Sequence, residues 1–201
     1  MPWLIGVMSL LVVAVVVLII VLTVFKGDGG GKAAVSESGS TETPWEAGDS
    51  NSRDATNGLI SYEGMLVPLD LGYPRGWKLD EDPDGCIRIW PEDKKEEALL
   101  FLYHEDLTEY EYSFEEWVSQ ATAGLDEMGR DFKVSSTEID GCPASQFTYV
   151  EDQADTLDYR VMQIYTMKDG IAYVVKFFCK ESLYRRYLKD ATKVIESIKL
   201  L

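Results

Sequence analysis

Residues 158–180 read DYRVMQIYTMKDGIAYVVKFFCK. Two strand candidates, Asp158–Lys168 and Ile171–Lys180, flank Asp169-Gly170, a dipeptide that tolerates the positive φ angles of a two-residue hairpin turn. A pair closed so tightly is antiparallel, and that sets the class of the sheet around it. Working outward, Phe132–Glu138 and Ser145–Glu151 are further strand candidates. ALLFLYH at 98–104 is apolar on both sides of its alternation, which marks a central strand covered on both faces. WKLDE at 77–81 and Cys86–Trp90 are joined by Pro83-Asp84-Gly85, where Pro presets one corner and Gly accepts positive φ.

Two helices flank these strands. Ser113-Phe114-Glu115-Glu116 matches a capping box, and behind it Phe114, Trp117, Val118, Ala121, Leu125 and Met128 repeat at helical spacing. A second amphipathic helix closes the chain, with Leu183, Tyr184, Tyr187, Leu188, Ala191, Val194, Ile195 and Ile198 on its buried side. Antiparallel strands plus two one-sided helices predict an α+β fold over residues 59–201, an α/β/α sandwich with a central antiparallel sheet. No internal repeat is visible.

The N-terminal part of the chain is physically different. Trp3–Phe25 reads WLIGVMSLLVVAVVVLIIVLTVF and carries no charge. As a helix it would be about 35 Å long, enough to cross a hydrocarbon core of about 30 Å. A cleaved signal peptide would have an apolar region of about 7 to 15 residues behind a basic stretch, and neither feature is present. Residues 1–25 are therefore expected to be a single transmembrane anchor. Residues 26–58 are rich in Gly, Ser, Thr and acids and cannot bury enough apolar surface to offset the entropy of ordering, so a disordered linker is expected, spanning on the order of 30 Å. Lys26 and Lys32 cast a small positive-inside vote for a cytoplasmic domain. The tether's likeness to the spacers of surface-displayed domains points the other way, and the expectation is a single-pass cell-membrane protein with residues 27–201 outside the cytoplasm.

Composition excludes several functions. Acids outnumber bases 35 to 19, for a net charge of -16, which speaks against nucleic-acid binding. Three Cys and one His, with no CxxC, cannot form a Cys/His zinc site of ordinary spacing. Cys86, Cys142 and Cys179 are read as buried small hydrophobes; outside the cytoplasm one pair could form a disulfide, and the sequence does not choose it.

Tyr73-Pro74-Arg75-Gly76-Trp77, the SFEEW opener at 113–117, Gly141-Cys142-Pro143-Ala144, Asp169-Gly170-Ile171-Ala172-Tyr173 and the closing Ile195-Glu196-Ser197-Ile198-Lys199 occur in an order that resembles the PsbP/Mog1-like superfamily. Within it, the order looks like that of the prokaryotic PsbP-related domains of unknown function carried on lipoprotein or membrane anchors. The resemblance covers about the last 140 residues and implies an α/β/α sandwich, in agreement with the reading of the strands and helices. It implies a non-enzymatic role, since the superfamily's founders are an accessory subunit of a photosynthetic complex and a partner of a small GTPase. Their partner-binding segments have no counterpart here, so the resemblance carries the fold and not the partner.

Three groups of residues are candidates for chemistry. Asp80, Asp82, Asp84 and Gly85 spell D-x-D-x-D-G, the opening of a calcium loop, although Pro91 stands where the bidentate Glu belongs and strands replace the flanking helices. A low-affinity metal site or a plain acidic turn both fit that pattern. His104, at the end of a central strand, could serve as general base, but no nucleophile motif or second His accompanies it. Tyr110 and Tyr112, among acids, form a candidate interaction surface or pack over the sheet edge. The resulting expectation is a membrane-anchored, non-catalytic binding or accessory module with no cofactor, an unknown protein partner and no nucleic acid. The alternatives are a divalent-cation-binding envelope protein or an enzyme using His104.

Overall fold

The computed structural model describes residues 58–151 and 158–201. The expected anchor at 1–25 and nearly all of the linker at 26–58 lie outside the described residues. Among the described residues, no helix is long and apolar enough to cross a membrane.

The fold is α+β. Its centre is a seven-stranded antiparallel sheet built from β3 (Trp77–Glu81), β4 (Ile87–Pro91), β5 (Ala98–Asp106), β6 (Gly129–Ile139), β7 (Cys142–Glu151), β8 (Tyr159–Lys168) and β9 (Ile171–Lys180), in the order β3-β4-β5-β9-β8-β7-β6. The β8–β9 hairpin forms at Asp169-Gly170 as expected, with φ of 50° and 80°. Asp140-Gly141 repeats the device between β6 and β7, with φ of 51° and 76°. Each sheet residue faces the side opposite to its neighbour. Along β9 this sends Tyr173, Val175, Phe177 and Cys179 into one core and Ala172, Val174 and Phe178 into the other.

The first core lies under α2 (Tyr184–Ser197), which buries Tyr187, Ala191 and Val194. Trp77 meets Tyr187 edge-on there, with ring centroids 6.1 Å apart. The same side carries a three-stranded sheet not anticipated from the sequence: β1 (Leu59–Glu63), β2 (Leu69–Pro74) and β10 (Lys199–Leu200), in the order β1-β2-β10. The signal for β2 was the alternation of Val67, Leu69 and Leu71, all buried. Gly72 on β2 keeps the pair close, since a Cβ there would sit 3.0 Å from the Leu59 side chain.

The second core lies under α1 (Phe114–Ala121). Ser113 caps it as expected: its hydroxyl accepts from the Glu116 N–H at 3.2 Å, and the Glu116 carboxylate accepts from the Ser113 N–H at 3.0 Å. The helix is shorter than its apolar stripe. Gly124 turns left-handed at φ 83°, so Leu125 is buried in a separate 3-10 turn and Met128 is exposed. The three cysteines are free. Burial pushes the thiols of Cys86 and Cys179 up to about 12, which keeps both protonated at neutral pH.

Candidate binding surface

Strand direction brings the sequence candidates to one end of the large sheet. The turn after β3, the end of β5 and the hairpin tips at 140–141 and 169–170 all lie there. Residues 64–68, between β1 and β2, join them: the Tyr173 hydroxyl donates to the Pro68 carbonyl at 3.1 Å, and the Leu66 N–H donates to Glu81 at 2.9 Å. Burial works to raise the Glu81 carboxyl, but the Tyr62 hydroxyl and the N–H groups of Leu66 and Val67 outweigh it and hold the pKa below its ordinary range. This carboxylate fixes a loop whose tip displays Met65, 85% exposed, and Leu66, 52% exposed.

The three aspartates do not converge. Asp80 pairs with Arg88 at 2.5 Å, Asp82 accepts from the Cys86 N–H at 2.9 Å to close the turn, and Asp84 is exposed. Among the described residues, no group of three or more His, Cys, Asp or Glu could hold a metal ion. Gly85 is buried at φ 75°, and a Cβ added there would lie 3.7 Å from the His104 imidazole. His104 is half-buried with Nδ1 lacking a hydrogen-bond partner. Burial lowers its pKa, opposed by the Asp106 charge, so the ring is neutral at pH 7.

Tyr110 and Tyr112 stack at 5.8 Å beyond the end of β5. Tyr112 leans on the second core, while Tyr110 is 47% exposed. Glu109 and Glu111 beside it are exposed, as are Glu63, Asp84, Asp106 and Asp169 around the same end. Among the described residues, the lysines at this end, Lys168 and Lys199, both lie within ion-pair distance of Asp140. Lys199 donates to Asp140 at 3.0 Å, and Lys168 donates to the Leu200 carbonyl. The surface is thus a set of apolar and aromatic tips among exposed carboxylates that outnumber the basic groups paired at this end. The tyrosines, aspartates and histidine were legible in the sequence; Met65 and Leu66 were not, because their exposure depends on the Glu81 contact 15 residues away.

No protein-family model matches the chain, and no curated protein matches it in sequence. Solved structures do match. The solution structure of cyanobacterial PsbP from Synechocystis sp. PCC 6803 aligns with a TM-score of 0.53 at 11% identity, over 77% of this chain and 100% of that one. A mutant of the protein Mog1 aligns at 0.47 and 8% identity, over 71% and 95%. A protein from Bacteroides thetaiotaomicron VPI-5482 aligns at 0.47 and 14%, over 70% of this chain and 49% of that one, so the chain spans about half of that protein's length. At such identity the shared property is the architecture: the central antiparallel sheet with helices on both faces is a fold this chain has in common with cyanobacterial PsbP.

Proposed function

We propose that the chain is a membrane-anchored, non-catalytic binding or accessory module that presents the acidic end of its sheet to a basic protein surface. The observation that carries this reading is the coincidence of exposed Met65, Leu66 and Tyr110 with exposed carboxylates, while Lys199 and Lys168, the lysines at this end among the described residues, are bonded to Asp140 and the Leu200 carbonyl. Apolar tips in a charged rim suit a protein interface, where aromatic and Met side chains supply contact and the rim steers approach. The anchor at 1–25 would raise the domain's effective concentration toward membrane partners, and its acidity would hold it off anionic headgroups. The domain would lie outside the cytoplasm.

A photo-crosslinking residue placed at Met65 or Tyr110 should yield one discrete adduct in intact membranes, weakened by salt, while the same probe at exposed Val134 on the far edge strand should not. Equal adducts from all three positions, or none from the first two, would overturn the reading. A Cys introduced at Ser40 should react with a membrane-impermeant reagent in intact cells; protection until permeabilisation would reverse the orientation.

A further inference from the structure

The helix α1 does not cover its side of the large sheet evenly. Over β7, β8 and β9 it packs through Trp117 and Val118 onto Phe147 and Tyr165, whereas Arg88, Trp90 and Phe101 on β4 and β5 stay half-buried. Register places Arg88 opposite Phe101 and Phe101 opposite Lys176, so a guanidinium and an ammonium emerge on the same face on either side of one phenyl side chain. Their Cα atoms are about 10 Å apart at ordinary strand spacing. Lys95, from the β4–β5 connection, lies 4.6 Å above the Trp90 ring, and Lys176 lies 5.9 Å from the Phe178 ring.

These cations are under-compensated in a chain that has acids to spare. Among the described residues, Lys95 and Lys176 each face an aromatic ring and neither has a carboxylate within ion-pair distance. Glu151 is the acid whose field reaches Lys176, without an ion pair forming. Arg88 gives one nitrogen to Asp80 at 2.5 Å and reaches Asp82 at 4.0 Å, while its Nε is buried with no acceptor. Burial lowers the pKa of both lysines; for Lys95 the Arg88 charge adds to this and Asp80 opposes it. A buried donor with no acceptor is costly, and an incoming anion would relieve both it and the repulsion between Arg88 and Lys95.

We propose that this face is a binding site for a small organic anion, with a flat apolar body laid on Trp90 and Phe101 and an anionic head taken up by Arg88 Nε, Lys95 and Lys176. Charge-assisted hydrogen bonds fix the head, and the two half-exposed rings supply the apolar floor that inorganic anions would leave unused. The site lies on the sheet face next to the acidic end, which it meets through the Arg88 contacts with Asp80 and Asp82, and its ligand is separate from whatever that end binds.

The test is titration of the full-length protein with 2-naphthoate, followed by the Trp90 indole N–H signal in a nitrogen-15 NMR spectrum. The signal should shift saturably, and neutral 2-naphthalenemethanol should bind at least about tenfold more weakly. Lys95→Gln, at a half-buried position in a connection, should weaken naphthoate about tenfold while leaving the unfolding midpoint unchanged, and Lys176→Met should do the same. Equal binding of the neutral compound, equal affinity in both variants, or no saturable shift at Trp90 would overturn the proposal.

Discussion

Trp77 shows how much a single side chain can matter here. It is 8% exposed and meets Tyr187 edge-on, so Trp77→Ala should cost about 3–5 kcal/mol, measured by urea unfolding. A loss below about 1 kcal/mol would place the indole outside the core. His104 makes a prediction of opposite character. Burial lowers its pKa below the ordinary 6.5, so in the window between the two values the unfolded chain binds the extra proton. Stability should therefore be full above pH 6.5 and fall as pH drops from there through the folded value. His104→Phe should flatten that part of the stability profile, and an imidazole NMR titration should give a midpoint below 6.5. A midpoint above it would mean that Asp106 governs the ring. Glu116 behaves as a depressed carboxylate, held down first by the Ser113 N–H and then by its hydroxyl. The difference in stability between the protein and Glu116→Gln should persist above the ordinary 4.5 and vanish as pH falls through the lowered folded value.

The two Asp-Gly hairpins share a backbone geometry and differ in their surroundings. A Cβ on Gly141 would meet nothing within 4 Å, whereas one on Gly170 would lie 2.9 Å from the Thr108 side chain and 3.3 Å from its Cα. Gly141→Ala should cost about 1–2 kcal/mol for the left-handed conformation alone. Gly170→Ala should cost more, because the 107–110 segment must also move, and equal losses in chemical unfolding would refute this. The Asp169-Gly170 hairpin and the α1 capping box were legible because each signal is local: a turn dipeptide and a four-residue box. The α1 stripe misled beyond Ala121, since Leu125 and Met128 keep helical spacing after Gly124 has turned the chain. The small sheet, whose β2 carries an alternating pattern, was illegible as a sheet for a different reason. Its strands β2 and β10 pair Leu69 with Leu200, and no short-range pattern announces a two-residue strand. Of the candidate site, the acidic and aromatic residues could be read from the sequence. That Asp80 is held by Arg88 and Asp82 by the Cys86 N–H could not, because both contacts depend on the β3–β4 register.

For the molecule as a whole, every buried core residue among the described residues falls between Val67 and Leu200. A fragment comprising residues 58–201 should unfold in one cooperative transition whose midpoint is independent of the probe. Two transitions, or aggregation relieved by restoring residues 27–57, would show that the earlier segment contributes to the fold. The order of strands in the large sheet has a kinetic consequence. β3, β4 and β5 follow one another in space as in sequence, and so do β6 through β9. Each meander can close through short loops, with hairpins forming on the microsecond scale. The seam between them, β5 against β9, runs from Ala98–Cys179 to Asp106–Ile171 and brings together segments far apart in the chain. Joining it requires closure of a long loop before any contact is gained, so the seam should zip last and set the folding rate. Val175→Ala on the seam should slow refolding more than Val134→Ala on the outer edge, each judged against its own loss of stability. Until that seam closes, the pairing edges of β5 and β9 stand open side by side, and the half-built molecule has its greatest capacity to exchange strands with a second copy of itself.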